Sequence, residues 1–160
     1  MSAFRERPVL VIGGLGFIGR RLVESLVARG AHVTVVTPSR ERHRDAAAAQ
    51  EAAGVRIIEG DVRDMDAVEA AVNASKPEVV FHLAAQPLVR YSYDNPIETY
   101  ATNVMGTVHL LDACRRAESV RAVVSVTSDK CYENREWIWP YRESDPMGGH
   151  DPYSSSKGAA

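Results

Sequence analysis

Tyr153 and Lys157 form a YxxxK spacing, which on a helix sets the two side chains on one face about one turn apart. A phenol with an ordinary pKa near 10 is a poor base at neutral pH, and a neighbouring ammonium favours its phenolate. The lysine therefore makes proton abstraction by the tyrosine feasible and can also reach a ribose hydroxyl. Upstream, Ser128 follows an apolar strand-like run and can hydrogen-bond the same substrate hydroxyl. The three residues together predict proton transfer at an alcohol carbon, a reading that needs a hydride acceptor nearby.

The acceptor has a candidate seat near the other end of the chain. Gly13, Gly16 and Gly19 give GxxGxxG directly after a short apolar run and at the opening of a helix-like pattern. Gly13 permits the sharp turn, Gly16 lets the backbone approach a pyrophosphate, and Gly19 lets the helix pack on the sheet. The helix N-terminus, which includes Phe17 and Ile18, then offers free N–H donors to the anion. An acidic residue that would grip the ribose hydroxyls is absent after the second strand, where Thr37, Pro38, Ser39 and Arg40 stand instead. Arg40, Arg42 and Arg44 could meet a 2′-phosphate or simply form a solvated face, so NAD is expected and NADP stays open. Asp61 and Val62 are expected at the carboxyl edge of the sheet, with Asp61 accepting from an adenine amino group or capping the helix that follows. Ala84, Ala85 and Gln86 follow the fourth strand in a loop.

These residues need a scaffold, and the patterning supplies one. Pro8 to Ile12 reads as a buried strand, and Leu22, Val23, Leu26 and Val27 recur at helical spacing until Gly30. Ala31 to Val36 is a second strand, completing a βαβ unit and implying a parallel sheet. Further strands are predicted at Val55 to Glu59, Glu78 to Ala84 and Arg121 to Thr127, the last as a buried strand. A polar, alanine-rich segment from Ser39 to Ala53 and a short helix around Met65 to Asn73 lie between them. After Asn95 and Pro96 a long amphipathic helix is predicted, with Ile97, Tyr100, Ala101, Val104, Val108 and Leu111 on its buried face. Strands alternating with helices make the fold class α/β, a Rossmann-like doubly wound parallel sheet.

Composition removes several classes. At 160 residues the chain can bury one ordinary core. A net charge of −2 offers no basic stripe, so nucleic-acid binding is not expected. The longest apolar run, Val9 to Gly19, is broken by glycine and falls short of the roughly 20 residues a membrane helix needs. No signal-peptide pattern is present, so cytoplasmic residence is expected. The two cysteines, Cys114 and Cys131, lack metal-ligand spacing and read as buried thiols, and no metal site is expected.

The glycine loop, Ser128 and the run YSSSK resemble the extended short-chain dehydrogenase/reductases, which act on nucleotide sugars. The segments HLAAQPLVRYSYDNPIETYATNVMGTVHLLDA and VTSDKCYENREWIWPYRESDPMGGHDPYSSSKG, within Pro77 to Gly158, resemble the CDP-glucose 4,6-dehydratases. Related dTDP-glucose dehydratases carry Thr-Asp-Glu where this chain has Ser128, Asp129 and Lys130. Leu15 and Ile18 in the glycine loop are similar to those of general sugar-nucleotide epimerases. The resemblance implies a redox-neutral loss of water from CDP-glucose, placed in deoxysugar biosynthesis. Tyr153 would remove the C4 hydroxyl proton while NAD takes the hydride and later returns it to C6, with the loop of Ala84, Ala85 and Gln86 passing close to that cofactor. Asp129 would protonate the departing C6 hydroxyl and Lys130 would assist at C5, or the pair would form a local surface ion pair. A lysine acting as a base must shed its proton, so a desolvated or cation-rich pocket is expected around Lys130. A homodimer through helices such as Pro96 to Cys114 is also implied. The alternatives are a UDP-sugar epimerase or decarboxylase, which would not need Asp129 and Lys130, and a non-catalytic dinucleotide-binding module. His82 reads as a packing residue, and Trp137, Trp139 and Tyr141 as either a sugar-facing lid or simple loop packing. Relatives continue with further strands and a substrate domain. The chain ends within a turn of Lys157, which predicts a poorly held catalytic helix and little turnover.

Overall fold

A computed structural model of the chain describes residues 3–160. The chain forms two compact units, the first running to Ala84 and joined by His109–Val126, the second comprising Ala85–Val108 and Thr127–Ala160.

The first unit is built on five parallel strands in the order β3-β2-β1-β4-β5. They are β1 (Pro8–Ile12), β2 (His32–Thr37), β3 (Arg56–Glu59), β4 (Val79–His82) and β5 (Ala122–Ser125). The strand order reverses beside β1, which pairs with β2 on one side and β4 on the other. Such a switch point opens a crevice at the carboxyl ends of the strands. Side chains along β1 alternate between the two faces because successive residues of a strand point oppositely. Val9 and Val11 join Val23, Leu26, Val35 and Ile57 in one core, against α1 (Phe17–Ala28) and α2 (Arg44–Ala52). Leu10 and Ile12 join Val68, Val72, Val80 and Leu110 in the other, against α3 (Met65–Ser75) and the later part of α6 (Gly106–Arg116). Two apolar faces explain why β1 reads as an unbroken hydrophobic run, and each buried Val, Leu or Ile contributes about 1.5–3 kcal/mol. The Rossmann-like α/β class follows from this layering.

One strand departs from expectation. β5 pairs with β4 among the described residues, and Val124 is exposed. The strand predicted from Arg121 to Thr127 is therefore present but not buried in this chain, because burial is set by what packs over a strand's faces and not by apolar composition.

The second unit contains α4 (Val89–Asp94), α5 (Pro96–Tyr100), a π-helical turn at Ala101–Met105, the start of α6, a 3-10 turn at Asp129–Cys131 and α7 (Pro152–Ala159). The predicted amphipathic helix is present in pieces, but its buried face is not the predicted one. Ile97, Tyr100, Val108 and Leu111 are exposed, Ala101 and Val104 are partly exposed, and Thr99, Asn103 and Thr107 are buried. Hydrogen bonding decides the face: Thr99 Oγ1 accepts from Gln86 Nε2 at 2.9 Å, and Thr107 Oγ1 donates to the Asn103 carbonyl at 2.7 Å. A helix face whose polar groups are satisfied can be buried ahead of an apolar stripe. Cys114 is buried as expected, whereas Cys131 is only half-buried.

Candidate functional site

The glycine loop links β1 to α1. Gly13 takes φ +82°, a left-handed conformation, and a Cβ there would lie 2.9 Å from the Ala84 backbone nitrogen. At Gly19 a Cβ would fall 2.3 Å from the Gly13 carbonyl. Both positions require glycine, and the backbone folds back on itself in a tight cradle. Gly16 is the N-cap of α1, Phe17 and Ile18 open the helix with exposed side chains, and the first turn carries no acidic residue and no side-chain cap. Its N–H groups thus favour an anion. The sequence reading missed two supports of this loop. A Cβ at Gly14 would strike the Val35 methyl groups at 2.6 Å, and the side chain of Gln50, buried on α2, donates to the Gly14 carbonyl at 3.0 Å. The doubled glycine signalled the first, whereas a glutamine in an alanine-rich helix gave no signal of the second.

Asp61 lies just beyond β3 and is gripped by Arg63. Its Oδ2 accepts from the guanidinium at 2.6 Å, and Oδ1 accepts from the Arg63 backbone N–H at 2.9 Å. The Arg63 hydrogen bond holds the Asp61 carboxyl below its ordinary value, so it is an anion at neutral pH. It does not cap α3; Asp64 does, accepting from Asp66 and Ala67. Val62 is buried, and its carbonyl is 2.9 Å from His109 Nδ1. His82 is buried at the end of β4.

In the second unit, α7 carries Tyr153 and Lys157 and is firmly held, contrary to expectation. The Asp151 side chain caps it through the Ser154 backbone N–H at 2.8 Å, and the Tyr153 N–H donates to Ser92 Oγ at 3.1 Å. Tyr100 donates its hydroxyl to Ser155 Oγ at 2.8 Å. The Asn103 amide donates to Ser156 Oγ at 2.9 Å. The same amide accepts from the Gln86 N–H and donates to the Gln86 carbonyl, so this asparagine joins the loop of Ala85 and Gln86 to the helix of the tyrosine and lysine. Tertiary bonds replace the length that an isolated helix would need. A π turn at Asn103 is also a frequent mark of functional sites.

Burial lowers the Lys157 pKa below the ordinary lysine range, against a smaller opposite effect of Cys131. The desolvation expected around Lys130 falls here instead, for Lys130 and Asp129 are both exposed. Ser128 opens the 3-10 turn, accepting from the Lys130 N–H at 3.1 Å and donating to Asp129 Oδ1 at 3.1 Å. Asp129 is thus tied to Ser128, and no ion pair joins it to Lys130 among the described residues. Burial raises the Asp151 pKa, but the Ser154 hydroxyl and backbone N–H, the Tyr153 N–H and the Lys130 charge outweigh it and leave Asp151 ionised. Beyond this turn, Tyr132 pairs with Met147 in a bridge closing a loop, Tyr132 stacks on Tyr141 at 5.0 Å, and Arg135 lies 5.4 Å from the Trp137 ring centroid. Trp139 is exposed. Among the described residues there is no group of metal-binding side chains and no helix long and apolar enough to cross a membrane.

Known proteins share this fold. The family model described as GDP-mannose 4,6 dehydratase matches residues 10–160. The CDP-glucose 4,6-dehydratase of Salmonella typhimurium is 62% identical over 101 residues, which are 63% of this chain and 28% of that protein. An epimerase from Methanothermobacter thermautotrophicus superimposes with a TM-score of 0.87 at 26% identity, covering 99% of this chain and 46% of that one. The UDP-glucose 4-epimerase of Thermus thermophilus, solved with NAD, gives 0.80 at 33% identity over 94% of this chain and 47% of that one. The chain spans less than half the length of each of these relatives.

Proposed function

The chain belongs to the GDP-mannose 4,6 dehydratase family, and from that premise we propose that it carries the dinucleotide-binding and proton-transfer portion of a CDP-glucose 4,6-dehydratase, a lyase. The 62% identity with the Salmonella enzyme carries the choice of substrate. The cradle at Gly13 and Gly19, which a Cβ would fill, and the uncapped start of α1 fit the pyrophosphate of a nicotinamide dinucleotide. Ala84 to Gln86, Asp61 and Val62 complete its surroundings in this reading. Such a cofactor supplies a hydride acceptor for C4 of the sugar and a hydride donor for C6.

The chain's own residues move the protons. Tyr153 takes the proton of the C4 hydroxyl as that carbon is oxidised, and Ser128 holds the same hydroxyl. Lys157, buried behind the capped start of α7, stabilises the phenolate and binds a ribose hydroxyl. The new C4 ketone acidifies the C5 proton. Lys130 assists its removal and Asp129 gives a proton to the departing C6 hydroxyl, so one water leaves; return of the hydride to C6 with a proton to C5 then leaves no net oxidation. Exposure of Asp129 and Lys130 means that bound substrate must supply the desolvation the lysine requires. The exposed stripe of Ile97, Met105 and Val108 supports homodimer formation, and cytoplasmic residence belongs to the same reading.

Incubating the full-length protein with CDP-glucose and NAD tests this, with products read by mass spectrometry and NMR. Loss of one water with a ketone at C4 is expected. Inversion at C4 without water loss would establish the epimerase instead, a reading that the epimerase relatives support only weakly. Dinucleotide binding without sugar conversion would leave a binding module. Replacing Lys130→Met should spare C4 oxidation and block water loss.

A further inference from the structure

We propose that Glu59, with the Arg40–Glu51 ion pair, makes the first unit select a dinucleotide whose adenosine ribose bears a free 2′-hydroxyl over one bearing a 2′-phosphate. This rests on the reading of that unit as a dinucleotide-binding fold. The acidic residue normally used for the ribose belongs to the end of the second strand, and here that stretch is Thr37, Pro38, Ser39 and Arg40. β3 supplies the charge that β2 lacks. Glu59 is the last residue of β3 and the register partner of Thr37, the last residue of β2, so the two strand ends lie side by side at the carboxyl edge. Glu59 Oε1 accepts from the Arg40 backbone N–H at 2.8 Å, which lays the carboxylate against the chain leaving β2.

Two of the three cations that would greet a 2′-phosphate are turned elsewhere. The Arg40 guanidinium donates to Glu51 Oε1 at 2.7 Å and to the Ile57 carbonyl. Arg44 pairs with Glu41 in its own turn. Arg42 is exposed on the 3-10 turn Glu41–His43, and its backbone N–H donates to Ser39 Oγ at 3.2 Å. A ribose hydroxyl can donate to a carboxylate, whereas a 2′-phosphate carries a charge of about −1.5 to −2 and meets Glu59 as a like charge. Arg40, read from sequence as part of a possible phosphate grip, thus serves to brace the loop beside Glu59.

Isothermal titration of NAD and NADP against the parent protein, Glu59→Gln and Glu51→Gln tests the proposal, with thermal melting as the control for folding. The parent should bind NAD at least about tenfold more tightly than NADP. Glu59→Gln keeps an oxygen for the Arg40 N–H but loses the charge, and it should narrow the ratio roughly tenfold, mainly through tighter NADP binding. Glu51→Gln loosens Arg40 and should shift the ratio the same way by a smaller factor. Equal or preferred NADP binding by the parent, or an unchanged ratio in a folded Glu59→Gln, overturns the selectivity while leaving the dinucleotide reading intact. Binding of neither dinucleotide overturns both.

Discussion

Asn103 donates to Ser156 Oγ at 2.9 Å, and both side chains are buried. The bond ties a π turn to the helix that carries Tyr153 and Lys157, while the rest of the Asn103 amide is spent on the Gln86 backbone. Replacing Asn103→Leu leaves the part-buried Gln86 N–H and carbonyl without this partner. It should cost about 2–4 kcal/mol, read by urea unfolding. In the active protein it should lower kcat more than it raises KM, since it displaces a supporting helix and touches no substrate. An unchanged unfolding midpoint would sink this account.

Lys157 illustrates a conflict between stability and chemistry. Its pKa in the fold is depressed by burial relative to the ordinary lysine value of 10.5, so the folded state holds fewer protons on this group than the unfolded chain does. Its contribution to stability is therefore present above that ordinary value and is lost as pH falls through the depressed one. Lys157→Met should melt at or above the parent temperature at pH 7, with the gap closing toward pH 10.5. Turnover should fall by roughly 10²–10⁴-fold. Melting curves across pH and single-turnover rates are the measurements.

The glycines separate fold from ligand. Gly19→Ala forces a Cβ onto the Gly13 carbonyl and should destabilise by about 2 kcal/mol or more, because backbone atoms cannot step aside. Gly54 has a positive φ, +83°, which Gly19 lacks, but a Cβ there would meet nothing within 4 Å, and Gly54→Ala should cost only about 1–2 kcal/mol. At Gly16 the nearest atom to a Cβ is 3.3 Å away, so Gly16→Ala should keep the fold and weaken dinucleotide binding roughly tenfold. Calorimetric melting paired with NAD titration distinguishes the three.

The two thiols should differ. Burial pushes Cys114 up to about 11, leaving on the order of one thiolate per thousand at pH 8. A disulfide reagent at that pH should modify half-buried Cys131 quickly and Cys114 only on unfolding. Because the Cys114 value is raised by folding, its contribution to stability is intact below the ordinary value of 9.0 and is lost as pH rises toward 11. Cys114→Ser should show a weaker alkaline loss of stability; an identical alkaline profile would count against the assignment.

Much of this protein is legible in its residue order because some constraints are local. An apolar run followed by Gly13, Gly16 and Gly19 determines strand, turn and helix, since only glycine tolerates the backbone approach the turn demands. The YSSSK run likewise determines a helix with Tyr153 and Lys157 on one face, and alternating strands determine the α/β class. Other facts depend on partners distant along the chain. Which face of the Pro96 to Arg116 region is buried was decided by Gln86 and Ser156 reaching Thr99 and Asn103, against the apolar stripe. Which lysine is desolvated was decided by packing, which buries Lys157 and leaves Lys130 in solvent. The acidic group missing from β2 reappears from β3 only through strand register, a relation between residues that no single segment contains.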